Sequence, residues 1–329
     1  MATSTVPETQ TIRSKAKAGD LIARFVVLAF AILILILAIL AVGELWRSSG
    51  PSREKFGFGF LRSAAWNPVT EDFGALPFIY GTIVTSVLAL VISVPLSVGA
   101  AIFLSELAPA GVSDALTFLI ELLAAIPSVI YGLLALFTIV PLMRTTIEPF
   151  LKTHFGFLPL FRGYALGVGL LTASIVLSIM TIPFIISVSR ESLLAVPREM
   201  REAALALGAT RWETTWQVVV PYAKLGISGS IFLGLARALG ETMAVTMVIG
   251  NDPAIHGSLV YGLFPIPNLL ASGSTIATVI ASQFSEATGS VYPASLVELG
   301  LVLFLLTVII NAFARLMIVA TTGKGSKRP

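Results

Sequence analysis

The property that most restricts how this chain can fold is its series of long apolar runs. A helix needs about 20 apolar residues to cross a hydrocarbon core of ~30 Å. Six segments reach that length: residues 21–43, 78–104, 115–143, 164–188, 227–249 and 296–320. Only 12% of the 329 residues are charged, against 56% hydrophobic, where a water-soluble domain carries roughly 25% charged residues. Lipid must therefore solvate much of the surface. The expectation is an all-α integral membrane protein with about six transmembrane helices.

The first run is too long for the ~7–15-residue apolar core of a secretion signal, and Glu44-Leu45-Trp46 follows it in place of a small-residue cleavage site. It is read as a retained span at 21–43, after a polar N-terminal tail (1–20) expected to be disordered and before an external loop at 44–77. The rest is a membrane core at 78–320 and a short tail at 321–329. An apolar stretch at 274–284 is too short to cross and reads as an external or re-entrant piece. With the N-terminus inside, inner segments carry thirteen Lys and Arg and outer segments seven, so both termini are expected in the cytoplasm. Pro95, Pro127 and Pro183 fall inside expected spans, where each removes a helical hydrogen bond and favours a kink.

Several chemistries are excluded. With no cysteine, the chain has no disulfide or thiolate site. Its two histidines, His154 and His256, fall in different expected loops, so no metal centre is expected. No GxxxxGK[ST] phosphate loop occurs; Gly323-Lys324-Gly325-Ser326 has the wrong spacing. The chain is therefore not expected to bind and split ATP by itself, and no cofactor is expected. Its basic residues sit between apolar runs rather than in a stripe, which argues against nucleic-acid binding.

Residues 197–221 read as a pair of short helices. Pro197 suits a first helical turn, Arg198 to Leu207 is helix-forming, and Gly208 supplies a left-handed stop. Thr210 and Glu213 then form a Thr-x-x-Glu capping box. Trp212, Trp216 and Val219 give the second helix an apolar face, and Pro221 is expected to close it. Such a pair either lies on the membrane surface or docks a cytoplasmic partner.

Arg237 and Glu241 lie in the fifth apolar run. A mid-bilayer arginine costs ~2.5–3.5 kcal/mol on insertion scales, so an ionisable residue there is a functional candidate. Their separation of four predicts one helical face and a mutual pair. They read either as a structural ion pair or as a path lining, the arginine fork suiting an oxyanion. Ser230, Gly234, Gly240 and Ala244 fall near the same face, and Ile231, Leu235, Leu239 and Ile249 opposite. Gly226, Ser230 and Gly234 form a small-xxx-small series suited to close helix contact.

Glu202-Ala203-Ala204, with Gly208 six residues after Glu202 and Pro221 thirteen beyond that glycine, resembles the EAA loop of ABC importer permeases. Val218-Val219-Val220-Pro221 stands where that family has an aliphatic residue, a spacer and Leu-Pro. Residues 236–245, 96–106 and 125–133 are similar to the phosphate-specific members, and the long loop at 44–77 fits the PstC-like branch better than the PstA-like one. The resemblance implies type I ABC importer architecture in a prokaryotic inner membrane. It implies a second, PstA-like permease, two PstB-like ATPase subunits and an external PstS-like phosphate-binding protein. It assigns ATPase coupling to Glu202, Ala203, Ala204, Gly208 and Pro221, and phosphate passage to Arg237 and Glu241. Import of another oxyanion or solute (sulfate, molybdate or an organic solute) stays open, as does an ion-coupled secondary transporter. The latter often has two similar halves, and no such repeat is visible.

Overall fold

The computed structural model describes residues 8–255, 257–260 and 264–322. Its apolar runs are helical because a backbone in lipid must pair its own N–H and C=O groups. Helix α1 (Glu8–Ser48) is followed by short α2 (Gly50–Phe56) and α3 (Gly59–Arg62) and an antiparallel ribbon of β1 (Trp66–Asn67) and β2 (Asp72–Phe73). Then come α4 (Leu76–Leu107), α5 (Ala110–Ala125), α6 (Ser128–Phe155), α7 (Leu170–Leu194), α8 (Arg198–Ala206) and α9 (Arg211–Gly240). Short α10 (Met243–Val248), the hairpin of β3 (Gly257–Val260) with β4 (Phe264–Pro267), α11 (Ile276–Gln283) and α12 (Val291–Thr322) complete the chain.

Six helices, α1, α4, α6, α7, α9 and α12, are long and apolar enough to cross a membrane, as expected, but their limits differ. Backbone 8–19, expected as a disordered tail, is helical and continuous with the first span; extending a formed helix costs far less than nucleating one. The third expected span (115–143) is broken: Ile126 and Pro127 are extended (ψ 129° and 141°), and α6 starts after them. Proline disfavours helical geometry in the residue before it, so Pro127 breaks the helix instead of kinking it. The fourth span starts at Leu170 rather than 164, after Gly167 at φ +79°. The fifth is shifted from 227–249 to Arg211–Gly240.

Prolines explain another pattern. π-helical turns at Phe103–Leu107, Ala135–Ile139, Met143–Ile147 and Thr215–Val219 each end two residues before a proline: Pro109, Pro141, Pro149 and Pro221. A proline ring clashes with the carbonyl four residues back and offers no N–H. The wider turn relieves that crowding at Pro141, Pro149 and Pro221, where the helix continues, while at Pro109 the backbone is extended and the helix ends. Pro95 and Pro183 stay inside unbroken helices.

The bundle centre is α7. Helix α4 runs along it through a face of small side chains, with Thr82, Ser86, Ala89, Ser93 and Ser97 all buried. The Ser97 hydroxyl donates to the Ile182 carbonyl at 3.3 Å. Helix α9 packs on α7 through the expected small series: Gly226 abuts Ser192, Ser230 hydrogen-bonds Ser189 at 2.7 Å, and a Cβ on Gly234 would stand 2.9 Å from Ile185. Without a hydrophobic force between helices in lipid, close backbone approach and interhelical hydrogen bonds provide the adhesion. Helix α11 occupies the 274–284 stretch; it is too short to span and is buried against Phe78 and Leu296.

Gly81 shows how tight this packing is, because a Cβ there would collide with the Ser274 backbone carbonyl, whereas Gly99 faces open space. Gly81→Ala should destabilise by about 1–3 kcal/mol and Gly99→Ala should not. Thermal unfolding of the two variants in detergent, compared with the natural sequence, checks this.

Candidate functional site

Two regions carry the expected functional residues: the bent helix pair at one end of the bundle, and the break that ends α9. In the pair, Pro197 caps α8, one position before the expected first turn. Gly208 adopts φ +87° with nothing within 4 Å of its missing Cβ. The capping box forms: the Glu213 N–H donates to Thr210 Oγ1 at 3.2 Å and the Thr210 N–H to Glu213 Oε2 at 2.8 Å. Pro221 does not close the second helix as expected. It sits in the first turn after the π-helical turn, and the backbone continues helically to Gly240. The second arm of the bend is thus the start of α9 itself.

The outward surface of the bend is uncovered. Glu202, Ala203, Gly208 and Pro221 are exposed, and Ala204 is half-buried. Leu207 is 90% exposed, an unfavourable position for a leucine in water. Trp212 and Trp216 are exposed and meet edge to face at 5.6 Å. Val219, expected on their face, is fully buried with Leu193, Val196 and Ala223. The π-helical turn rotates it out of the i, i+4, i+7 register.

Sequence reading missed the residues that fasten this bend. Arg201 Nη2 donates to Glu106 Oε1 at 2.8 Å and Nε to Oε2 at 3.1 Å, a two-point fork between α8 and the end of α4. Arg201 also donates to the Leu193 carbonyl at 2.8 Å and to that of Val196, reaching the end of α7. The two side chains are 20% and 9% exposed. Beside them opens a cleft of about 500 Å³ that includes Ser105, Arg198 and Glu202. With the partners 95 positions apart in sequence, no local pattern signals the pair.

At the far end of α9, Arg237 and Glu241 do not pair: among the described residues no ion pair joins them. The helix ends at Gly240, and Glu241 is extended (ψ 128°). That geometry destroys the i, i+4 relation. Glu241 Oε1 instead accepts the Ala244 N–H at 3.3 Å, satisfying a free donor in the first turn of α10. Arg237 is exposed, with its guanidinium carbon 5.9 Å from the centre of the Phe184 ring and within electrostatic reach of Tyr131. The expected shared face splits: Ser230 and Gly234 are buried against α7, while Arg237 and Gly240 are exposed. Leu239 and Ile249, expected on the opposite face, are both buried in the core.

The break after α9 meets the break before α6. A Cβ on Gly132 would stand 2.8 Å from the Ala244 Cα, so α6 and α10 touch at backbone distance. The Tyr131 hydroxyl spans the earlier break, donating to the Leu123 carbonyl at 2.7 Å. Irregular backbone at membrane depth is tolerated only where protein buries it or where it borders a cavity. Two broken helices beside one uncovered cation make this the candidate solute contact. No group of metal ligands occurs among the described residues. His154 lies on α6 with Nδ1 3.0 Å from the Phe150 carbonyl, and His256 lies outside the described residues.

Residues 93–320 match the family described as binding-protein-dependent transport system inner membrane component. The phosphate transport system permease protein PstC of Mesorhizobium japonicum is 46% identical over 302 residues, covering 90% of this chain and 89% of that one. Its counterpart in Pasteurella multocida is 47% identical over 304 residues and covers 91% of each chain. A probable PstC from Methanocaldococcus jannaschii is 36% identical, covering 88% of this chain and 90% of that one. Among solved structures, a chain of a bacterial alginate ABC transporter in complex with alginate pentasaccharide-bound periplasmic protein has a TM-score of 0.57 at 17% identity, over 92% of this chain and 96% of that one. That likeness is one of fold. With the matched region covering most of the chain and six helices able to span, this protein is a multi-pass member of the binding-protein-dependent inner membrane components, the permease subunits of ABC importers.

Proposed function

We propose that this chain is one of two permeases of an ATP-driven inorganic phosphate importer. It forms the solute path with a homologous second permease, and two ATPase subunits and an external phosphate-binding protein complete the assembly. The observation that carries this reading is the uncovered bend at Gly208, whose second arm runs unbroken into the helix bearing Arg237. Force applied at the bend moves α9 without an intervening hinge, and the Arg201–Glu106 fork carries it to the ends of α4 and α7. Glu202, Ala203, Ala204, Gly208 and Pro221 form or flank the docking surface, joined by Leu207, Trp212 and Trp216. Phosphate as the solute is supported by the relatives named PstC at 46–47% identity over nine-tenths of this chain.

In this reading Arg237 attracts the anion with paired N–H donors, while Phe184 and Tyr131 keep its surroundings semi-apolar. Glu241 acts from the helix break, held by the Ala244 N–H. It limits how tightly an anion is held and can accept the proton of a P–OH group.

Three outcomes test the proposal. In vesicles containing the four kinds of subunit, Arg237→Gln removes a charge-assisted bond of about 1.5–3 kcal/mol, so phosphate uptake should fall roughly 10- to 100-fold; Glu241→Gln should also lower it. Unchanged uptake in both variants would show that the two residues are structural. Gly208→Trp should insert normally, at a backbone cost of ~1–2 kcal/mol, yet abolish ATP-driven uptake by blocking the docking surface. Full uptake by that variant would remove the coupling role. Orientation is checked by exploiting the absence of cysteine: in right-side-out vesicles a membrane-impermeant maleimide should label Lys152→Cys and spare Leu207→Cys.

A further inference from the structure

Where α1, the α2–α3 elbow and α12 meet, a groove of about 310 Å³ lies apart from both regions described above. Leu61, Leu301, Val302 and Leu305 give it an apolar wall, and Trp46, Arg53 and Glu298 give it a polar rim. Glu298 was expected at the start of the last span, but α12 begins at Val291, which places it two turns inside the helix. Glu298 is 6% exposed, and its Oε2 has no hydrogen-bond partner among the described residues. Beside it the Ser52 and Ser295 hydroxyls, 3.0 Å apart, tie α2 to α12. A buried carboxylate oxygen without a donor is costly. Glu298 lines the groove, so a turn of its carboxyl brings this buried oxygen to an incoming group.

The cation on the rim is equally incomplete. The Arg53 guanidinium stacks 3.7 Å from the centre of the Trp46 ring, with Nε donating to Ser49 Oγ at 3.0 Å and Nη2 to the Trp46 carbonyl. Nη1 makes no hydrogen bond among the described residues, and no ion pair within 4.0 Å joins Arg53 to Glu298 there. The groove thus offers a separated cation and anion above an apolar trough. The flanking helices face lipid: every described side chain from Ala23 to Ala41 of α1 is exposed, and Phe58 on the elbow is 90% exposed. Trp46, on the rim of the groove, is a residue type that collects at a membrane–water boundary.

We infer that this groove binds one phospholipid whose headgroup carries a primary ammonium, the phosphate resting on Arg53, the ammonium donating to Glu298 Oε2 and an acyl chain lying along Leu301 and Leu305. A phosphoethanolamine headgroup supplies both charges and N–H donors. A phosphocholine headgroup supplies the charge but no donor, and a phosphoglycerol headgroup supplies hydroxyls but no positive charge. The assignment is independent of which solute the protein passes.

Native mass spectrometry of the full chain in mild detergent tests it, with dioleoyl phosphatidylethanolamine, phosphatidylcholine and phosphatidylglycerol added in turn at equal concentration. One phosphatidylethanolamine should be retained at least about tenfold more tightly than phosphatidylcholine, as expected for one extra charge-assisted bond. Glu298→Gln, nearly isosteric, should collapse that preference, and Arg53→Gln should weaken all three lipids. Leu301→Trp should fill the trough and lower retention with the fold intact. Equal retention of phosphatidylethanolamine and phosphatidylcholine overturns the proposal, as does a preference for phosphatidylglycerol. So does a preference that survives Glu298→Gln, or retention unaffected by Leu301→Trp, which would place the lipid elsewhere on the surface.

Discussion

In hydrocarbon a peptide group that loses its helical partner finds no water to replace it, at a cost of several kcal/mol. Every interruption of a helix in this protein must therefore be matched by something packed against it. The break at Ile126–Pro127 is bridged by the Tyr131 hydroxyl, and the break at Glu241 by that residue's own carboxylate on Ala244. The two breaks lean on each other through Gly132 and Ala244, where the absence of a side chain on Gly132 lets the backbones touch. The rest of the architecture follows from where such irregularity is affordable. Unbroken α1 lies at the edge with its side chains exposed, and the broken helices meet each other at Gly132 and Ala244.

The same constraint shapes the other end of the bundle. Pro141, Pro149 and Pro221 would each disrupt a straight helix, but a π-helical turn precedes each and the helix continues through it, whereas at Pro109 the helix ends. At Pro221 this makes the bend and the spanning helix one rigid piece, where the sequence suggested two. The Arg201–Glu106 fork then fixes the first arm of the bend to α4 and α7. A partly buried two-point fork of this kind loses on the order of 2–3 kcal/mol when one partner is removed. Both arms are thus joined to the core, one covalently and one through charge.

Much of this was legible in the residues. The number of spanning helices, the short 274–284 piece, the left-handed stop at Gly208, the Thr210–Glu213 box and the small face of α9 are all local patterns, and all appear. The misreadings share one cause. A separation of four puts Arg237 and Glu241 on one face of an ideal helix, yet Gly240, a weak helix former, ends the helix between them. A proline such as Pro221 usually stops a helix, but an inserted turn upstream makes it a continuation here. Periodicity assumes an unbroken helix, and it fails wherever the break is stabilised from elsewhere in the chain.

The sequence alone determined that this protein lives in lipid, that it crosses about six times, and that it carries a bent, capped helix pair between its late spans. Those properties depend on composition and on contacts within a few residues. Tertiary structure alone decided that Arg201 grips Glu106, that two helix breaks meet beside Arg237, and that Glu298 reaches a lipid-facing groove with an unfilled hydrogen bond. These depend on groups brought together across the fold, where the energy of a contact is set by what surrounds it rather than by what precedes it in the chain.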